Sequence, residues 1–134
     1  PSWVNRVTIA FNGLSTSGAN QRIIQLGAGS FVTSGYASNT YYDSLLYGGA
    51  IQQATGIAIS APTAAGSLVY GLAILTQSSS NSWVIDISTV DSVVANNTLS
   101  SGSMNLSGYL DRVRVTSVTS VDTFDAGTVN VYYE

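Results

Sequence analysis

The stretch LVYGLAILTQSSSNSWVIDISTV, residues 68–90, decides the fold. In its second half, Trp83–Val90, the residues Trp83, Ile85 and Ile87 fall on one side and Asp86 and Ser88 on the other. That period of two sorts side chains into a dry and a wet face only if the chain is extended. Its first half, Leu68–Thr76, is apolar on both sides, as a central strand covered on each face would be. The polar run Gln77–Ser82 between them has the length of a hairpin connection.

The same alternation extends outward in both directions. Trp3–Phe11 sets Val7, Ile9 and Phe11 against Arg6, Thr8 and Ala10, and is predicted to end at the turn signal Asn12-Gly13. Gln21–Gly27 and Ser30–Ala37 are further strands, divided by Gly27-Ala28-Gly29; weaker candidates, Tyr41–Tyr47 and Gly56–Ile59, are joined through Gly48-Gly49. Beyond residue 90, Val93-Val94 reads as a short piece and Asn96-Asn97 as a turn. Met104–Leu106 reads as a brief pairing, Asp111–Val118 as strict alternation, and Gly127–Tyr133 as the last strand. Eight to ten strands at spacings of about ten residues, with no helix of three turns, predict an all-β chain. A lone sheet would leave half its apolar side chains wet. The expectation is therefore a single antiparallel β-sandwich domain, jelly-roll-like, over residues 1–134.

Composition narrows the chemistry. Of 134 residues only 11 are charged, four Arg against seven Asp and Glu, for a net charge of -3. Without His or Cys there is no Ser-His or Cys-His nucleophile pair, no disulfide and no zinc or copper site of imidazole or thiolate ligands. Without Lys there is no Schiff-base chemistry. Four arginines in a net-negative chain lack the basic stripe that tracks phosphates, so no nucleic-acid partner is expected. Apolar runs fall far short of the roughly 20 residues that span a bilayer as a helix, and no membrane insertion is expected. A start at Pro1 rather than Met suggests a processed product or a piece of something longer. Ser, Thr, Asn and Gly number 56. A solitary small domain usually coats itself with about a quarter to a third charged residues, so the shortage here predicts that sister chains cover part of the surface.

Several residues stand out as site candidates. Tyr36, Tyr41, Tyr42 and Tyr47 fall in one window rich in Ser, Asn and Gly, and tyrosines on a loop suit carbohydrate stacking or protein contact. They are the ligand-binding candidates; a place in an intersubunit seam is the alternative. Arg112 and Arg114 share one face of a strand opposite Val113 and Val115. They are expected to fork to carboxylates of a neighbouring copy, such as Asp86 or Glu134, with an anionic sugar as the alternative. In the motif Asp122-Thr-Phe-Asp-Ala-Gly127, Asp122 and Asp125 are expected to cap turn amides while Phe124 plugs the sandwich end; a Ca²⁺ site is the less favoured reading. Gly127 completes that turn. Six aspartates and one terminal Glu134 include no pair in a setting that raises a pKa for acid work, so neither catalysis nor a cofactor is expected.

The closing segment LDRVRVTSVTSVDTFDAGTVNVYYE (110–134), the opening PSWVNRVTIAF (1–11) and the patches LSTSG (14–18), IQLG (24–27) and SGY (34–36) resemble a C-terminal domain of tailed-bacteriophage tail fibre, tailspike and related virion fibre proteins. The likeness runs in order over most of the chain and is strongest at its ends. Asn5 stands where that family commonly has Lys, and residues 37–65 match little. The resemblance implies a homotrimeric, extracellular virion domain at the tip of a longer fibre protein. Its partner would be a bacterial surface glycan or an outer-membrane protein, met through loops 37–65 or 77–82. A trimerisation cap or capsid decoration domain without a ligand is the alternative.

Overall fold

The computed structural model describes residues 3–43, 48–61, 64–93 and 95–134. Among the described residues eleven strands are present: β1 (Arg6–Thr16), β2 (Arg22–Ala28), β3 (Ser30–Phe31), β4 (Ala37–Asp43), β5 (Gly48–Gln52), β6 (Ile57–Ala58), β7 (Val69–Ser79), β8 (Ser82–Asp91), β9 (Asn96–Asn105), β10 (Arg112–Ser117) and β11 (Phe124–Tyr133). They form two antiparallel sheets, the sandwich expected. The larger runs β11-β1-β7-β8-β9-β4-β5; in the smaller, β2 pairs with β10, β3 and β6.

The β7–β8–β9 meander carries the fold. Trp83, Ile85 and Ile87 point inward as their period demands, meeting Val69, Ala73 and Leu75 of β7 and Val7, Ile9 and Phe11 of β1. Ile24, Leu26, Ile57 and Ile59 close the core from the other side. Each such side chain contributes about 1.5–3 kcal/mol by leaving water. Only one face of β7 is covered, however: Tyr70 and Leu72 are exposed and Ile74 is half-buried, so the two-sided cover expected for Leu68–Thr76 is absent from the single chain.

Three turn signals moved, and one strand is shorter than expected. β1 does not stop at Asn12-Gly13 but runs on to Thr16 through a register break, with Gly13 at φ 67° and Gly127 opposite at φ 88°. A Cβ on Gly127 would clash with the Gly13 carbonyl oxygen, so the paired glycines make a bulge instead of a turn. Asn96-Asn97 begins β9, and the turn falls just before it, where Ala95 has φ 51°. Gly48-Gly49 belongs to β5, and of Ser30–Ala37 only Ser30–Phe31 pairs as β3. Beyond Phe31 the Val32 amide still bonds the Leu26 carbonyl (2.8 Å), and Tyr36 is buried in the core.

Among the described residues two charged side chains are buried, Arg22 and Asp91. Arg22 is buried at the end of β2, its Nε donating to Thr16 Oγ1 (3.1 Å) and its Nη2 to the Ser67 carbonyl (3.0 Å). Burial lowers its pKa, and Asp91 opposes that shift.

The accessible surface, 6569 Å², is close to the roughly 6,700 Å² of an ordinary compact monomer of 13.9 kDa. The amount of surface is therefore normal, and its chemistry is what departs from the usual.

Candidate functional site

The uncovered face of the large sheet carries a continuous cross-strand row. In register, Asn130 of β11 faces Ala10 of β1, then Leu72 of β7, Ser88 of β8, Leu99 of β9, Tyr41 of β4 and Ala50 of β5. Strands lie about 4.8 Å apart, so the row from Ala10 to Tyr41 spans about 19 Å. Leu72, Leu99 and Tyr41 are 46%, 57% and 52% exposed. Because Ser88 is small, a trough of about 340 Å³ opens between Leu72 and Leu99. On its rim the Ser101 hydroxyl donates to Asp86 (2.7 Å). Tyr70 and Val90 extend the apolar ground in the neighbouring row. Apolar walls, an aromatic face and one carboxylate–hydroxyl pair are the equipment that grips a sugar by its C–H face and its hydroxyls, or a flat protein epitope.

The tyrosines do not converge. Tyr41 and Tyr42 lie on a strand, not a loop, and point to opposite faces. Tyr41 joins the outer row, while Tyr42 covers its cross-strand partner Gly49. Tyr36, expected on a ligand-binding loop, belongs to the core. Its ring is buried and its hydroxyl accepts from the Leu26 amide (2.6 Å) and donates to the Val32 carbonyl (3.1 Å). Burial raises its pKa. Tyr47 lies outside the described residues.

Arg112 and Arg114 do sit opposite Val113 and Val115, stacked over the Phe31 ring at 5.8 and 4.4 Å. Their partners are in their own chain. Arg112 forks to Asp111 (2.7 and 3.0 Å), and Arg114 Nε donates to Gln25 Oε1 (2.7 Å). With the Gly29 amide as a further donor, Arg112 holds the Asp111 carboxyl down to about 2. Within the chain, Arg112 is thus already paired with a carboxylate.

Asp122 caps an amide distant in sequence, where one of its own turn was expected. Its two oxygens accept the backbone N–H and side-chain amide of Asn20 (3.0 and 2.9 Å). The neighbouring Ser17 and Thr123 exchange further bonds, so this clasp ties the end of β1 to the loop before β11. Asp125 stands exposed on β11. Phe124 does not plug the sandwich. It begins β11, 42% exposed, on the rim of a groove of about 570 Å³ that it shares with Val113, Val115, Val129 and Val131. A smaller cleft of about 400 Å³ continues past Val113 to Tyr133 and the Asp111–Arg112 pair.

Leu72, Ser88 and Leu99 were not candidates in the sequence. A signal existed: Leu72 and Ile74 are out of phase with the inward set Val69, Ala73 and Leu75. Compared with known proteins, the chain matches no family model, no curated protein and no solved structure.

Proposed function

We propose that this chain is the host-surface receptor-binding tip of a phage fibre or spike, displayed as a homotrimer on the virion. In this reading the outer face of the seven-stranded sheet binds cell-surface carbohydrate or an envelope protein. The observation that carries it is the row Leu72–Ser88–Leu99–Tyr41, a contiguous exposed apolar and hydroxyl-bearing patch in a chain of few charges. The likeness of both chain ends to virion fibre domains supplies the context. Three copies would turn weak single contacts into avidity through effective concentration.

The test is binding of the labelled protein to a panel of bacterial cells, with purified surface polysaccharide as competitor. Wild type should bind and be competed, and Leu99→Lys and Tyr41→Ala should lose binding while keeping their melting temperature. Binding unaffected by both substitutions refutes the assignment. A ligand-free trimerisation cap or capsid decoration domain is the second reading, favoured by the divergence of Tyr41 and Tyr42. It predicts no cell binding at all.

A further inference from the structure

The sandwich is open along one side, where the edge strands of its two sheets lie next to each other. β11 ends the large sheet and β10 ends the small one. All ten residues of β11 are exposed. Val129, Val131 and Tyr133 oppose the inward residues Phe11, Ile9 and Val7, yet the small sheet is too narrow to cover them.

The backbone hydrogen bonds can be assigned rung by rung. Arg6 and Glu134 exchange both amide–carbonyl bonds at 3.0 Å. Rungs of an antiparallel ladder alternate, so Tyr132, Asn130 and Thr128 are bonded to β1, and the N–H and C=O of Val129, Val131 and Tyr133 point to the open side. On β10, the Val118 amide bonds the Gln21 carbonyl (2.9 Å). The same alternation turns the N–H and C=O of Val113 and Val115 away from β2. Two ladders' worth of unused donors and acceptors thus flank one groove, above valine side chains that point into it.

Soluble monomers blunt such edges with Lys, Pro or inward charges. Between Ala126 and Tyr133 β11 has no charged residue and no proline. Aromatic side chains span about 150–250 Å², so Phe124 and Tyr133, at 42% and 58% exposed, leave about 200 Å² open. That is about a quarter of the roughly 800 Å² each partner buries in a stable interface, before the valines and backbone are counted.

Direction decides how copies fit. The groove sets Val115 beside Phe124–Gly127 and the adjoining cleft sets Val113 beside Val131 and Tyr133, so β10 and β11 run oppositely. Copies related by an axis along the strands would therefore bring β10 of one antiparallel to β11 of the next.

We propose that this seam is the self-association surface: a second copy sets its β11 against β10, and the copies close into a ring in which neither β10 nor β11 keeps a free edge. The inference rests on the homo-oligomeric reading above and assigns it a surface, separate from the outer row offered to the host.

Light scattering and amide hydrogen exchange on the whole chain test it. The wild type should be oligomeric at micromolar concentration. The amides of Val113, Val115, Val129, Val131 and Tyr133 should then exchange at least about 100-fold more slowly than open-edge amides. Val131→Pro removes a donor that β1 does not use, and Val131→Lys puts a charge in the groove. Each should give a folded monomer, whereas Leu99→Lys should stay oligomeric. An oligomer in which those five amides exchange freely, or in which Leu99→Lys alone dissociates, overturns the seam and leaves the homo-oligomeric reading standing. A monomeric wild type removes both.

Discussion

Tyr36→Phe isolates one hydroxyl and asks whether that tyrosine is structural. The substitution keeps the buried ring and deletes the oxygen that accepts from the Leu26 amide and donates to the Val32 carbonyl. Val32 is half-exposed, so water can satisfy its carbonyl. Leu26 is fully buried, and its N–H is left with no acceptor. An orphaned buried amide costs about 1–3 kcal/mol, which puts the loss near 2 kcal/mol. At about 2.1 cal/mol/K per residue, 134 residues give an unfolding entropy of about 0.28 kcal/mol/K, so Tm should fall by about 7 °C. Tyr36→Ala also empties the ring's site, costing about 3–5 kcal/mol, and should lower Tm by about 11–18 °C. Tyr41→Ala, on the exposed row, should stay within about 2 °C of wild type. Thermal melts at one protein concentration are the assay, because self-association moves Tm with concentration. A Tyr36→Phe melt within 2 °C of wild type would refute the clasp. The pH dependence follows with a definite sign. Burial raises the folded-state pKa of Tyr36, so the neutral phenol's contribution is intact below about pH 10 and is lost as pH climbs through the folded value. The phenylalanine variant should therefore lose less stability than wild type above pH 10.

Gly127→Ala should destabilise by at least about 2 kcal/mol in urea titrations, since a left-handed φ of 88° and a clash with the Gly13 carbonyl act together; an unchanged midpoint would mean that β1 carries no bulge. Asp111 should titrate near 2 by NMR, because the Arg112 fork and the Gly29 amide favour the carboxylate; the interaction is present above the usual carboxylate range and fades as pH falls through about 2. Added salt, or Arg112→Gln, should move that titration upward, and no movement in either case would separate Asp111 from Arg112.

Legibility followed the range of the forces involved. The inward set Trp83, Ile85 and Ile87 was readable because a period of two is a property of neighbouring residues. Asn12-Gly13 misled because a positive φ serves a turn and a bulge equally, and only the distant Gly127 decides between them. Nothing local separates Tyr36 from Tyr41 five residues on: one meets the Leu26 amide inside the fold and the other lies beside Leu99. Leu68–Thr76 is apolar on both faces, yet within the chain only one is covered, and what meets the other is not written in one strand. The open seam was the least legible feature, since it depends on how far the small sheet reaches across the large one.

The ladder between β1 and β11 brings the two chain ends together, with the Asn5 and Arg6 amides both on the Glu134 carbonyl. Tension applied between those ends would break rungs one after another from Arg6–Glu134 inward, as a zip opens, because each rung bears the whole load in turn. A pull entering through β1 and leaving through the outer face of β7, β8 and β9 instead runs across many hydrogen bonds at once. Loaded that way, a domain of this build resists far better than when the two strands of its β1–β11 ladder are parted at Arg6 and Glu134.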